Sequence, residues 1–345
     1  MTDHRAPAGS YAALHEEAHV LSFDFQPGIP VKSSVIRYSS QPTPPPEGLV
    51  LIVVHSVSAH KEQWVPTLRR LFSATDLSSI GPRISEAWAI DAPGHGDSVQ
   101  LNLHLHESPE ILSSLSAYSK AISTLLQTNL STVHPSRIVA VGHSAGGAAL
   151  IPAAIEELQR TGSPPFGCAI LIEPSAFDRN MFQYVARIQE RVRKMALARK
   201  DEWPSRAEAL RWLRTHPPWS RWDDEVLEIL VSKGMRESPS GHSVVLKCSP
   251  QLEAATFHFH IEAQFAAGDQ LATMCRAMPV HMIFGAVDDY IHAAAKELMV
   301  DPKKGRKMAS VQRVARANHM AIQTNPRGTA EAIMNVLSQR TLSRL

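Results

Sequence analysis

The segment Arg137-Ile-Val-Ala-Val-Gly142-His143-Ser144-Ala145-Gly146-Gly147 constrains this chain more than any other. Strand-forming residues run straight into Gly-His-Ser-Ala-Gly, and a small-residue helix from Ala148 to Gln159 follows at once. A strand that turns directly into a helix over a serine needs neighbours without bulk, and Gly142 and Gly146 meet that need. The turn lifts the Ser144 hydroxyl out of the sheet and aims the following backbone N–H groups at a reacting centre. A serine so placed needs a base, an acid to orient that base, and donors for an oxyanion.

The flanking pattern gives the setting. His19 to Phe25 and Val31 to Tyr38 alternate apolar and polar residues as half-buried antiparallel strands do, with a turn at Gln26-Pro-Gly28. Leu49 to Val54 is an almost continuous apolar run, as in a strand buried on both faces. Helical spacing follows over Trp64 to Phe72, then a short strand over Ala87 to Ile90 and a tight loop, Asp91 to Ser98. One long helix is expected over Pro109 to Leu125. Beyond the Arg137 to Val141 strand and its helix, Cys168 to Ile172 is the next apolar run. The rhythm resumes with strand Val280 to Phe284, helix Ala293 to Met299, strand Ser310 to Ala315 and helix Gly328 to Leu337. Strands alternating with helices predict a mostly parallel sheet, here of eight strands, with helices on both faces.

Between Pro174 and Met278 that rhythm stops. Helical stretches over Phe182 to Leu197, Arg206 to Thr215 and Asp223 to Lys233 are joined by polar turns. The expected organisation is a core of residues 1–173 and 279–345, with a helical lid of residues 174–278 inserted after the sixth strand. Four of the six tryptophans (Trp203, Trp212, Trp219 and Trp222) fall in that lid, where they suit a small core of its own. A lid over the strand ends would also shape a substrate pocket.

Composition excludes several other functions. A formal net charge of +2 implies no strong field for nucleic acid. No apolar run approaches the roughly 20 residues that span a bilayer, and Met1 to Ala18 carries charges where a secretory leader needs an apolar core. Three scattered cysteines, Cys168, Cys248 and Cys275, make neither a disulfide framework nor a zinc site. No nicotinamide or flavin fingerprint is present, Gly94-His-Gly-Asp-Ser98 lacks the lysine of a phosphate loop, and no cofactor is expected. The pairs His104/His106 and His258/His260 could share a strand face, but without typical spacing to further ligands no metal is expected. The final Ser343-Arg344-Leu345 keeps the small-basic-leucine pattern of a peroxisomal address, which makes an import receptor an expected partner.

Partners for Ser144 belong at the carboxyl ends of later strands. His319, between the last strand and the last helix, stands where a general base comes in the chain order serine, acid, histidine. Two carboxylates compete to orient it. Asp288 follows the Val280 to Phe284 strand and Glu173 ends the Cys168 to Ile172 strand; Asp288 is preferred, as a shorter carboxylate after the penultimate strand. The expected oxyanion donors are the N–H groups of Ala145 and Val57. Val57 lies in the loop after Val54, where Ser56 stands in place of a customary glycine.

With Ser144, Asp288 or Glu173, and His319 in that order, the chain resembles the α/β-hydrolases over essentially its whole length. It is similar more narrowly to fungal peroxisomal members, among them toxin-biosynthesis hydrolases, an acyl-CoA hydrolase and a yeast lipase. His55 with Lys61-Glu-Gln-Trp64, Asp91 with Gly94 to Ser98, Gly142 to Gly147, Trp203 to Ala209, Asn318-His-Met320 and the terminal tripeptide carry that likeness. The resemblance implies hydrolysis of a fatty-acyl or polyketide-type ester or thioester, with a peroxisomal acyl-CoA thioesterase as the nearest alternative. A hydrolase fold that only binds a small molecule is the alternative from another class. In the acyl-CoA hydrolase branch the acid lies at the sixth-strand position, which here is Glu173.

Overall fold

The computed structural model describes residues 13–76, 82–259 and 261–342. Eight strands form its main sheet. They are β1 (His15–Gln26), β2 (Ile29–Ser39), β3 (Leu49–Val54), β4 (Ile84–Ile90), β5 (Ile138–His143), β6 (Cys168–Ile172) and, after the insertion, β10 (Val280–Gly285) and β11 (Ser310–Val314). Their order across the sheet is β1-β2-β4-β3-β5-β6-β10-β11. Only the β1–β2 and β2–β4 pairs are antiparallel; from β4 onward every neighbour is parallel.

The apolar run of β3 explains why the sheet is covered on both sides. Successive side chains of a strand point to opposite faces. Val50, Ile52 and Val54 enter one apolar layer, with Leu125 and Leu150 from the helices Leu115–Gln127 and Ala145–Thr161. Leu51 and Val53 enter the other, with Leu68 and Phe72 of helix Val65–Asp76 and Ile333 and Val336 of helix Pro326–Leu342. Such burial contributes about 1.5–3 kcal/mol per large side chain, before the opposing loss of chain entropy.

The single helix expected over Pro109 to Leu125 is two, Pro109–Leu112 and Leu115–Gln127. Ser114 takes an extended conformation and its Oγ accepts from the N–H groups of Ser116 and Ala117, so a serine cap restarts the helix. The insertion differs more. Besides helices Phe182–Leu197, Arg206–Leu213 and Asp224–Lys233 it holds an antiparallel sheet of β7 (Glu202–Trp203), β8 (Met235–Glu237) and β9 (Val244–Leu246), in the order β7-β9-β8. Trp203 and Trp222 are buried in a cluster with Leu213, Val226 and Leu227, against which Trp212 and Trp219 pack. The last insertion helix, Ile261–Ala277, sends Phe265, Leu271 and Met274 into the main sheet's own apolar layer.

Buried charges tie these parts together. Lys61, fully buried, lies 2.8 Å from Asp91 Oδ2, 2.8 Å from Glu62 Oε1 and 2.7 Å from Asp97 Oδ2. Lys247, just beyond β9, pairs with the other oxygen of Asp97. Burial alone would lower the Lys61 pKa, but the facing Asp91 and Glu62 carboxylates overcome it and hold the ammonium above its ordinary value.

Candidate active site

Ser144 occupies a backbone conformation that L-residues seldom adopt, φ 52° and ψ −116°. The surrounding chain over-determines it. Ser144 N–H donates to the Ile172 carbonyl, and the Ser144 carbonyl accepts from Ala148 and Ser175 N–H groups. The glycines around it are required by contact: a Cβ on Gly146 would stand 2.5 Å from the Val54 oxygen, and one on Gly142 would stand 2.6 Å from Gly147 Cα. Ala145 is the first residue of its helix, where N–H groups lack partners four residues back.

Two elements from the far end of the chain meet this serine. His319, in the loop after β11, places Nε2 3.0 Å from Ser144 Oγ. Its backbone is held at both ends, because His319 N–H donates to Asp289 Oδ1 at 3.0 Å and its carbonyl accepts from His143 Nε2 at 2.7 Å. Tyr290 packs on the imidazole with ring centroids 4.4 Å apart. Burial, reinforced by His319 nearby, lowers the His143 pKa to about 3, so His143 is a neutral donor that fixes position.

The carboxylate facing the imidazole is Glu173. Its Oε2 lies 3.3 Å from His319 Nδ1, while Oε1 accepts from Gly285 N–H at 2.6 Å and lies 2.7 Å from Lys296 Nζ. Asp288, the preferred candidate, instead turns Oδ1 toward Lys296 at 2.8 Å and Arg313 at 3.5 Å. The preference is therefore corrected. Both carboxylates lie at the same rim, but Glu173 leaves β6 with φ +46° and its N–H on Ile283, an arrangement that directs the side chain toward His319. Burial pushes the Glu173 carboxyl up, but hydrogen bonds and charge from His319 and Lys296 outweigh it and hold the group below the usual carboxylate range. Lys296, itself buried, is the residue that sequence reasoning missed. It lies inside a short helix, Ala293–Met299, and nothing in its sequence neighbours marks it.

Val57 and Ala145 line one cleft, together with His55, His95, Leu112 and Thr256. Ala59 N–H donates to the Ser56 carbonyl at 3.3 Å, so the loop after β3 forms a tight turn; its left-handed residue is Ser58 (φ 65°), not Ser56. The Ser58 hydroxyl donates to Glu253 Oε1 at 2.5 Å, and Arg199 pairs with the other Glu253 oxygen. His55 accepts from Ala92 N–H through Nε2 and donates from Nδ1 to the Ser56 carbonyl, a neutral tautomer that holds the loop's start.

The histidine pairs go elsewhere. His104 and His106 sit around a short 3-10 turn rather than on a strand, and each bonds a backbone carbonyl. His258 lies in helix Pro250–Phe259, and His260 is outside the described residues. Among the described residues no three His, Cys, Asp or Glu side chains gather as a metal-ligand set, and no helix is long and apolar enough to cross a membrane. Cys168 is buried, whereas Cys248 and Cys275 are partly so; burial pushes the thiols of both of these up, which disfavours the reactive thiolate. Ser343, Arg344 and Leu345 lie outside the described residues.

A largely parallel sheet with a serine on its strand-to-helix turn, and a histidine and a carboxylate brought to it from later strand ends, defines a class of fold and site together. The chain belongs to the α/β hydrolase family, whose pattern it matches over residues 51–332. No curated protein sequence matches it significantly. Among solved structures, the peroxisomal α/β-hydrolase Lpx1 from Saccharomyces cerevisiae is similar with a TM-score of 0.75 at 16% identity, covering 96% of this chain and 90% of that one. E-2-(acetamidomethylene)succinate hydrolase is similar with a TM-score of 0.64 at 18% identity, over 92% and 98% of the two chains. The thioesterase domain from the curacin biosynthetic pathway has a TM-score of 0.62 at 15% identity, over 93% and 99%. At these identities the likeness is one of fold.

Proposed function

We propose that this protein is a serine hydrolase that cleaves an acyl ester or thioester by two-step acyl transfer. The observation that carries this reading is the Ser144–His319–Glu173 relay, with Oγ to Nε2 at 3.0 Å and Nδ1 to carboxylate at 3.3 Å. His319 takes the Ser144 proton as Oγ bonds to the acyl carbon, and the N–H groups of Ala145 and Val57 receive the oxyanion. Collapse breaks the bond to the alcohol or thiol, which leaves with the proton held on Nε2. Water then gives its proton to His319 and attacks the acyl-enzyme, and collapse breaks the bond to Oγ, which takes that proton back from Nε2 as the acid is released. Glu173 keeps Nδ1 protonated, so Nε2 faces Ser144 as an acceptor, and it stabilises the imidazolium that forms.

The segment between β6 and β10 is the proposed lid. A fatty-acyl or polyketide-type substrate of fungal secondary metabolism, such as toxin biosynthesis, is the finer part of the reading. It rests on the motif strings shared with that subgroup, and the name of the curacin thioesterase agrees with a thioester in such a pathway. Peroxisomal import through Ser343-Arg344-Leu345 belongs to the same part and is supported by the fold likeness to a peroxisomal hydrolase. Labelling with a fluorophosphonate probe tests the core claim: wild-type protein should form an adduct at Ser144 and Ser144→Ala none. A folded wild-type protein that takes no label would refute it. Matched oxygen and thio esters then separate esterase from thioesterase.

A further inference from the structure

The cleft beside Val57 and Ala145 contains polar groups that the proposed mechanism does not use. His95 is only 3% exposed, and neither of its ring nitrogens has a hydrogen-bond partner among the described residues. Thr256 Oγ1, from the lid helix Pro250–Phe259, and Ser56 Oγ are likewise buried and unpartnered. All three residues line this one cleft, among apolar walls such as Leu112 and Leu115. Leaving buried donors and acceptors unpaired is costly, and a native protein tolerates it where another molecule completes the bonds. His95 is also held rigidly, since its N–H donates to the Ala92 carbonyl and its carbonyl accepts from Ser98.

The cleft belongs to one side of the reaction. Its wall carries both proposed oxyanion donors and adjoins Ser144 through Ala145, whereas Ser144, His319 and Glu173 do not themselves line it. A leaving group has to lie beside His319 Nε2 to collect its proton, so a cleft on the side of the oxyanion donors suits the acyl chain. Among the described residues its lining has no Asp, Glu, Lys or Arg. Burial first, then the positive charge of Arg199, lowers the His95 pKa to about 3, so its imidazole is neutral and offers one donor and one acceptor.

We propose that His95, with Thr256 and Ser56, forms a polar subsite that selects an acyl chain bearing an uncharged oxygen, hydroxyl or oxo, over a plain alkyl chain. This deepens the serine-hydrolase reading and rests on it. A neutral imidazole pairs with either oxygen type, as donor to an oxo group or acceptor from a hydroxyl. A carboxylate there would be a buried charge beside a neutral imidazole, without a cation in the lining to compensate it, which is costly.

The test uses the full chain with N-acetylcysteamine thioesters of octanoate, of hydroxy- and oxo-octanoates with the oxygen moved along the chain, and of a dicarboxylic acid of equal length. At least one hydroxy or oxo thioester should exceed octanoyl in kcat/KM by on the order of tenfold or more. His95→Leu should collapse that ratio, and His95→Gln, which keeps a donor and an acceptor, should restore part of it. Thr256→Val, on a separate element, should reduce the ratio in the same direction and serves if the His95 variant fails to fold. Wild-type preference for octanoyl over every oxygenated chain, preference for the dicarboxylic chain, or an unchanged ratio in a folded His95→Leu protein would each overturn the proposal. Fluorophosphonate labelling separates the two levels. A labelled Ser144 with no ratio effect removes only the subsite, whereas an unlabelled and inactive wild type removes the hydrolase reading as well.

Discussion

Glu173→Gln isolates the proposed orienting carboxylate, because the substitution preserves shape and changes only charge and hydrogen-bond polarity. Glu173 Oε1 is met by two donors, Gly285 N–H at 2.6 Å and the Lys296 ammonium at 2.7 Å, whereas among the described residues Oε2 is met by His319 Nδ1 alone. A glutamine amide must therefore keep its oxygen on the Gly285–Lys296 side, since the reverse would oppose its NH2 to two donors. The NH2 then faces Nδ1 and makes it an acceptor, which moves the imidazole proton to Nε2. Ser144 Oγ loses its base. A comparable loss of the right tautomer costs on the order of 10⁴ in kcat, equivalent to about 5.5 kcal/mol of transition-state stabilisation. For Asp288→Asn, whose carboxylate is partly exposed and pairs with Lys296 and Arg313, we expect a loss of less than about tenfold, the scale of weakened surface pairing. The assay is kcat and kcat/KM on a chromogenic ester, with thermal melting to show that both variants are folded. A folded Glu173→Gln protein within tenfold of wild type, or a larger loss in Asp288→Asn, would refute this assignment.

The other predictions concern stability, pH and location. Lys61→Met strands the buried carboxylates of Asp91 and Glu62 and should cost about 3–5 kcal/mol in urea unfolding; a loss under about 1 kcal/mol would mean that the cluster relaxes freely. Gly146→Ala forces a methyl against the Val54 and His55 carbonyls and should destabilise by about 1–3 kcal/mol while lowering activity; unchanged unfolding and turnover would contradict the close approach. Because the Glu173 pKa is lower in the folded protein than in the unfolded chain, its stabilisation is complete above the unfolded pKa and disappears as pH falls through the folded one. Lys296→Met removes part of that lowering, so the acid-unfolding midpoint should move to higher pH, and movement to lower pH would show the sign to be wrong. In a chain that ends at Leu345, removing Ser343 to Leu345 should abolish peroxisomal import of a fluorescent fusion, and retained import would dismiss the tripeptide as an address.

Much of the fold was legible because its signals are local and repeated. The β3 and β6 runs fell on their observed bounds, since five or six consecutive apolar residues suit a strand covered on both faces. The small sheet within the insertion was not legible. Its strands are only two or three residues long, too short for any periodicity to register. The break at Ser113-Ser114 was legible in principle, for serine is a good cap, but the apolar spacing on either side hid it.

What the chain by itself determined is the strand–turn–helix around Ser144, because the apolar strand run, the flanking glycines and the small-residue helix follow one another without a gap between Ile138 and Thr161. It also determined that His319 follows the last sheet strand, a matter of order alone. Which carboxylate meets His319 could only be decided in three dimensions. Glu173 and Asp288 both stand at ends of neighbouring parallel strands, and the choice turns on a positive φ at Glu173 and on where Lys296 places its charge. The unpartnered nitrogens of His95 are of the same kind. Hydrogen bonds that a buried group does not make depend on every element packed around it, and no stretch of sequence records them.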